Sequence, residues 1–164
     1  MSDLQPTSRY CFVCGRDNPK SLRARWANDR EARQVRATVT VPEEYNGYPG
    51  IVHGGVVSAL LDETAGRALM LDGDFDRLWV TVRLTVTFRR PTPTRTPLTL
   101  VGWVVRDGGR RSETAAELRL PDGTVAASCE ALIARPPDGL LDSWLEEREH
   151  WRVEEEPAGP EATD

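Results

Sequence analysis

Cysteine, histidine and lysine are all scarce in this chain: 164 residues contain three cysteines, two histidines and one lysine, Lys20. Three cysteines are an odd number and too few for a disulfide scaffold, so Cys11, Cys14 and Cys129 are expected as reduced thiols, in keeping with the cytosol. Basic residues are almost all arginine, and acidic residues outnumber them to give a formal net charge of −5. That balance offers no general attraction to nucleic acid or to an anionic membrane. An uninterrupted apolar run of membrane length is also missing. The most apolar stretch, Ile51 to Leu71, contains His53, Asp62, Glu63 and Arg67, which hydrocarbon tolerates poorly. Met1 to Arg9 is polar and lacks the core of a secretory signal. The expectation is a cytoplasmic protein with one main domain, for which 39% hydrophobic residues supply the core.

What is present is alternation. Leu22-Arg-Ala-Arg-Trp26 and then Val35, Ala37, Val39 and Val41 read as a hairpin around the turn residues Ala27 to Arg30. Pro42 to Gly50, with two prolines and two glycines, reads as a loop. Val56 to Leu71 is strong helix material, apolar around most of its circumference, as in a buried helix. Asp72-Gly-Asp74 ends it. Leu78 to Phe88 then alternates strictly, with Val80, Val82, Leu84 and Val86 on one face and Thr81, Arg83, Thr85 and Thr87 on the other. Three further strands, near Leu98 to Val105, Ser112 to Leu120 and Val125 to Ala134, are separated by turn sequences at Asp107-Gly-Gly109 and Pro121-Asp-Gly123. The fold class is α+β: a hairpin, one buried helix and a meander of four antiparallel strands. A tail precedes residue 11, the main domain runs over 11–136, an amphipathic C-terminal helix occupies 137–152, and an acidic disordered tail covers 153–164. One sheet on one helix leaves edges and part of the helix uncovered, so a homo-oligomer is expected.

Chemistry concentrates at the start and middle of the helix. At ~100° per residue, Gly55, Ser58, Ala59, Asp62 and Gly66 form a stripe of small or polar residues, opposite the bulkier Val57, Leu60, Leu61, Thr64, Ala68 and Leu71. Asp62 in that stripe either pairs with an arginine such as Arg67 or serves a function. Gly54 and Gly55 open the helix, where unpaired N–H groups and the positive end of the dipole can polarise a carbonyl oxygen, as acyl transfer requires. The same glycines would also serve a plain helix start. His53 could bind the substrate or simply orient the loop.

Tyr45-Asn46-Gly47-Tyr48-Pro49-Gly50-Ile51-Val52-His53-Gly54-Gly55, followed by Leu60-Leu61-Asp62-Glu63, resembles the signature of phenylacetic-acid-type hot-dog thioesterases. Cys11-Phe-Val-Cys14-Gly15 with Asn18-Pro19 and Leu22 is similar to the N-terminal motif of many bacterial members. The resemblance covers roughly residues 11 to 135. It implies a curved antiparallel sheet wrapped around one long central helix, and hydrolysis of an acyl-coenzyme A thioester without a cofactor. By the same resemblance Asp62 is general base or nucleophile, and the Gly54 N–H, with Gly55 beside it, polarises the thioester carbonyl. Thr81 positions the water in the partner subunit's half of the site, and Asn46 matches an upstream asparagine. Ser58 and Glu63 are assigned to substrate binding, with Arg89 and Arg90, and also Arg110-Arg111, as candidates for the coenzyme A phosphates or as plain solvated charges. The implied assembly is a dimer or dimer of dimers with intersubunit sites.

No metal is expected. A structural zinc site needs four ligands, and beyond Cys11 and Cys14 the candidates weighed are Cys129, His53 and His150. The pair reads instead as a compact turn that packs the N-terminal segment. Two rivals to hydrolysis remain: a dehydratase or hydratase on the same fold, and a non-catalytic acyl-coenzyme A sensor.

Overall fold

The computed structural model describes residues 3–140 and 142–154. Six antiparallel strands form one sheet in the order β1-β2-β6-β7-β8-β5. The strands are β1 (Trp26–Asp29), β2 (Gln34–Thr40), β5 (Val80–Phe88), β6 (Pro97–Asp107), β7 (Arg111–Arg119) and β8 (Val125–Ala134). A two-stranded hairpin starts inside the segment expected as a loop: β3 (Asn46–Tyr48) lies within it and β4 (Ile51–Val52) directly follows it. Helix α1 (Gly54–Arg67) follows, extended by a 3-10 turn over Ala68–Met70, and α2 (Asp142–Arg148) falls inside the expected C-terminal helix. The acidic tail lies outside the described residues from 155 onward.

Two expectations need correction. The first strand begins at Trp26, because Arg23 takes a positive φ of 54° and the Leu22 and Ala24 N–H groups donate to Phe12 and Val13 carbonyls. The four later strands are not a simple meander: β6, β7 and β8 are sequential neighbours, but β5 pairs with β8 at the sheet edge. Helix length explains this. Fourteen residues at ~1.5 Å rise span about 21 Å. The four strand spacings from β2 to β5, at ~4.8 Å each, come to about 19 Å. The helix therefore carries the chain across the sheet and delivers β5 to the far edge.

The core lies between α1 and the inner sheet face. Of the bulky stripe read from the sequence, Val57, Leu60, Leu61, Thr64 and Ala68 are buried there, while Leu71 is half-buried. They pack with Trp26, Leu98, Leu100, Ala116, Leu118, Cys129 and Ile133. Helix and sheet approach closely at Gly102 in β6, where a Cβ would stand 2.6 Å from the Thr64 carbonyl oxygen. Residues 3–10 run beside β1 and the chain end: the Gln5 N–H donates to the Trp26 carbonyl, and Thr7 bridges Arg152. No helix among the described residues is long and apolar enough to cross a membrane.

A β-bulge in β5 positions the site. Its register against β8 shifts between Thr81 and Arg83, leaving Val82 as the extra residue. Thr81 stands opposite Ile133, Leu84 opposite Ala131 and Val86 opposite Cys129, all inward-facing partners. Unbroken alternation would have put Thr81 on the other face from Leu84. The bulge turns it toward the helix and leaves Val82 54% exposed.

Candidate active site

Asp62 lies half-buried on α1 and accepts a hydrogen bond from the Thr81 hydroxyl, Oγ1 to Oδ1 at 2.8 Å. No basic side chain among the described residues pairs with it. The ion-pair reading fails because Arg67, one turn away in sequence, pairs with Glu63 at 2.9 Å. Burial raises the Asp62 pKa above its ordinary 3.8; the Thr81 hydrogen bond opposes that shift, and the Glu63 charge adds to it. The carboxylate is thus held in a place that disfavours its charge and is relieved by one hydroxyl. Thr81 reaches Asp62 of its own chain, whereas the resemblance had placed its role across a subunit boundary.

Asp62 and Thr81 open onto a cavity of about 340 Å³. The remaining wall brings together Met70, Leu78 and Trp79 with Trp144 and Trp151 from the C-terminal segment, and with Cys11, Cys14, Glu63 and Arg67. The two distant tryptophans contact each other edge to face, with centroids 4.5 Å apart. An Arg9–Glu147 ion pair at 2.6 Å fastens α2 to the N-terminal segment. Trp144 and Trp151 both fall within the span read from the sequence as an amphipathic C-terminal helix, but nothing local indicated that they would close a pocket.

At the helix start, the His53 side chain caps α1: its Nδ1 accepts the Gly55 N–H at 2.9 Å. This divides the two glycines. The Gly55 N–H is committed to the cap, while the Gly54 N–H has no acceptor among the described residues and is the free donor at the positive end of the helix. The Phe88 ring lies beside it, 3.5 Å from where a Gly54 Cβ would stand. Arg89 and Arg90 follow Phe88 directly, exposed, with Arg89 donating to Ser128 at 2.9 Å. Arg110 and Arg111 lie at the other end of the sheet, where Arg111 pairs with Ala134 and Ala134 with Val80.

Ser58 donates to the Gly54 carbonyl at 2.9 Å, one turn back along α1. Asn46 sits in the β3–β4 hairpin with its amide donating to Glu43 at 2.9 Å. Glu43 was not singled out from the sequence, yet it organises this loop: it accepts from Thr94, from the Gly50 N–H and from Asn46, which together bring its pKa down to about 2. Gly47 lies against His53, its notional Cβ 3.4 Å from the His53 Cα, so the loop braces the cap.

A six-stranded antiparallel sheet wrapped on one central helix, with a carboxylate mid-helix and glycines at its start, defines the hot-dog class. The chain has the hot-dog thioesterase fold, and the family model described as Thioesterase superfamily matches residues 49–127, which contain His53, Gly54, Asp62 and Thr81. A crystal structure of a thioesterase superfamily protein is similar with a TM-score of 0.70 and 36% identity, over 77% of this chain and 60% of that one. A Saccharolobus solfataricus protein assigned as an esterase is 33% identical over 95 residues, 56% of this chain and 66% of its own length. The chain thus spans less than two thirds of the length of both relatives. The fold is shared with the E. coli PaaI protein from the phenylacetic acid degradation operon (TM-score 0.57, 23% identity, 64% of this chain and 74% of that one). It is shared too with a Streptococcus pneumoniae thioesterase-named protein crystallised with coenzyme A (TM-score 0.57, 19% identity, 63% and 78%).

Proposed function

We propose that this chain is a cytoplasmic acyl-coenzyme A thioesterase acting on a small or medium acyl group, aromatic or otherwise apolar, in sites shared between two copies of the chain. The observation that carries the reading is Asp62: a carboxylate without a cationic partner among the described residues, its pKa raised by burial, facing a cavity and hydrogen-bonded by the Thr81 hydroxyl. Such a group activates water as a general base or attacks the thioester itself. A cavity of about 340 Å³ walled by Trp79, Trp144, Trp151, Leu78 and Met70 is sized and lined for a compact apolar acyl group. The chemistry needs no cofactor.

Helix geometry supports the shared site. Gly54 and Asp62 are eight residues apart on α1, hence ~12 Å along its axis, too far to act on one carbonyl. A second copy with its helix antiparallel to the first brings its Gly54 N–H toward this Asp62, and the reverse. The surface available for that contact includes the half-exposed small stripe of α1 and the edge strand β5, where Val82 is 54% and Phe88 53% exposed. Arg89 and Arg90, beside Phe88 and the Gly54 end, are placed to meet the coenzyme A phosphates. Bound coenzyme A in the S. pneumoniae protein of the same fold fits this assignment. His53 acts as the cap that holds the donor amide in place rather than as a base.

A panel of short, long and aromatic acyl-coenzyme A esters, assayed for free thiol release beside Asp62→Asn, tests the reading. Turnover of at least one ester, lost by 10²-fold or more in the variant, is expected. Hydrolysis surviving within a fewfold refutes the role of Asp62; tight binding without turnover across the panel makes the protein a sensor instead.

A further inference from the structure

The cavity that Asp62 lines also holds a cluster that hydrolysis does not use. The Sγ atoms of Cys11 and Cys14 and a carboxylate oxygen of Glu63 all lie within 4.8 Å of one another. The two cysteines sit on a tight turn built for sulfur. The Val13 N–H donates to Cys11 Sγ at 3.3 Å, and the Gly15 N–H closes the turn onto the Cys11 carbonyl at 2.8 Å. A Cβ at Gly15 would stand 2.4 Å from that carbonyl oxygen, so the turn admits only glycine there. Glu63 arrives from α1, one residue after Asp62. The buried Arg67, 2% exposed, binds both sides of the cluster: Nε donates to Glu63 Oε1 at 2.9 Å and Nη2 to Cys14 Sγ at 3.2 Å.

We propose that Cys11, Cys14 and Glu63 bind one zinc ion, with the fourth position open to the acyl cavity. Zinc–sulfur bonds of ~2.3 Å and zinc–oxygen bonds of ~2.0–2.2 Å at tetrahedral angles require ligand atoms about 3.5–3.8 Å apart. The cluster needs to contract by at most about 1.3 Å to meet that geometry. Charge also closes. Two thiolates and a carboxylate around Zn²⁺ leave one net negative charge, which the Arg67 guanidinium cancels, while its hydrogen bonds orient the carboxylate and one sulfur, as outer partners of metal ligands do. Mixed thiolate and carboxylate donors in a tetrahedral set select zinc over magnesium or calcium. Cys129, the remaining thiol, is bonded to the Leu61 carbonyl on the sheet side of the helix and takes no part. Three protein ligands with an open fourth position make the zinc arrangement that holds a water or a ligand group there, so the ion would present that position on the wall of the acyl pocket. This stands independently of thioester hydrolysis.

The test is the metal content of the full chain, purified reduced, without a polyhistidine tag or chelator. About one zinc per chain is expected in the wild type and in Cys129→Ser, and under a tenth of that in Cys14→Ser. Glu63→Gln, which keeps a partner for Arg67 and leaves the turn intact, covers the case in which the cysteine variant misfolds; it is expected to bind zinc at least tenfold more weakly. Replacement by Co²⁺ should give thiolate-to-cobalt charge-transfer absorption in the wild type. Metal-free protein that neither takes up zinc nor shows the cobalt band overturns the proposal, as does isolation of Cys11–Cys14 as a disulfide in protein never exposed to oxidant.

Discussion

Asp62 occupies a position that favours its neutral form, and Thr81 is the one group that favours its charge. That opposition yields a signed prediction. If the ionised carboxylate is the working form, the acid limb of kcat/KM lies above the ordinary carboxylate value of 3.8. Thr81→Val removes the hydrogen bond that lowers the pKa, so the limb moves to higher pH while the plateau above it changes less. A pH profile of the two proteins decides; a limb that stays or moves down separates Thr81 from Asp62 ionisation. Stability runs the other way. A group whose folded-state pKa is raised loses its contribution as pH rises through that pKa, so above it the ionised Asp62 lowers stability. Asp62→Asn is therefore expected to match or exceed the wild-type Tm at pH 7 while losing turnover, and a clearly lower Tm in thermal unfolding contradicts this account.

At the scale of elements, the approach of α1 to β6 depends on Gly102. Any side chain there meets the Thr64 carbonyl, which belongs to the helix backbone and cannot swing aside. Gly102→Ala forces the helix off the sheet and is expected to destabilise the fold by about 1–3 kcal/mol or more, measured by denaturant unfolding. The helix start is more tolerant, which makes it usable as a probe. Gly54 is the first residue of α1, where proline is well accommodated, and His53 has φ −58° and ψ 135°, the conformation that a following proline favours. Gly54→Pro deletes the one free N–H while keeping the helix, so kcat should fall 10²- to 10³-fold, the range for losing an oxyanion donor, with Tm within a few degrees of wild type. An unchanged kcat would remove the helix start from the chemistry.

For the whole molecule, the separation of Gly54 from Asp62 along one helix makes the two defects complementary. A mixture of inactive Asp62→Asn and inactive Gly54→Pro, exchanged to form mixed dimers, has one site in each mixed dimer with an intact Gly54 and an intact Asp62. Recovery of roughly a quarter of wild-type activity is expected from random pairing of two subunits into closed, symmetric assemblies. No recovery, in a mixture whose subunit exchange is verified by mass, places both groups of a working site in one chain. Sizing chromatography with light scattering gives the parallel check that the wild type is not a monomer.

Local order determined much of this protein. Period-two alternation, turn glycines and a run of helix formers gave the α+β class and the position of nearly every element, because side-chain burial imposes those periods wherever one face is covered. The His53-Gly54-Gly55 and Asp62 spacing carried the resemblance to the superfamily. Tertiary structure decided what depends on long-range placement. The helix's length sent β5 to the far edge beside β8. A single bulge at Val82 turned Thr81 inward against its own alternation. His53 claimed the Gly55 N–H and left Gly54 as the donor. Glu63, assigned from the sequence to substrate binding, pairs with Arg67 and lies beside the two cysteines. Each of these turns on which groups meet across tens of residues, and a hydrogen bond or an ion cluster leaves no periodic trace in the sequences it joins.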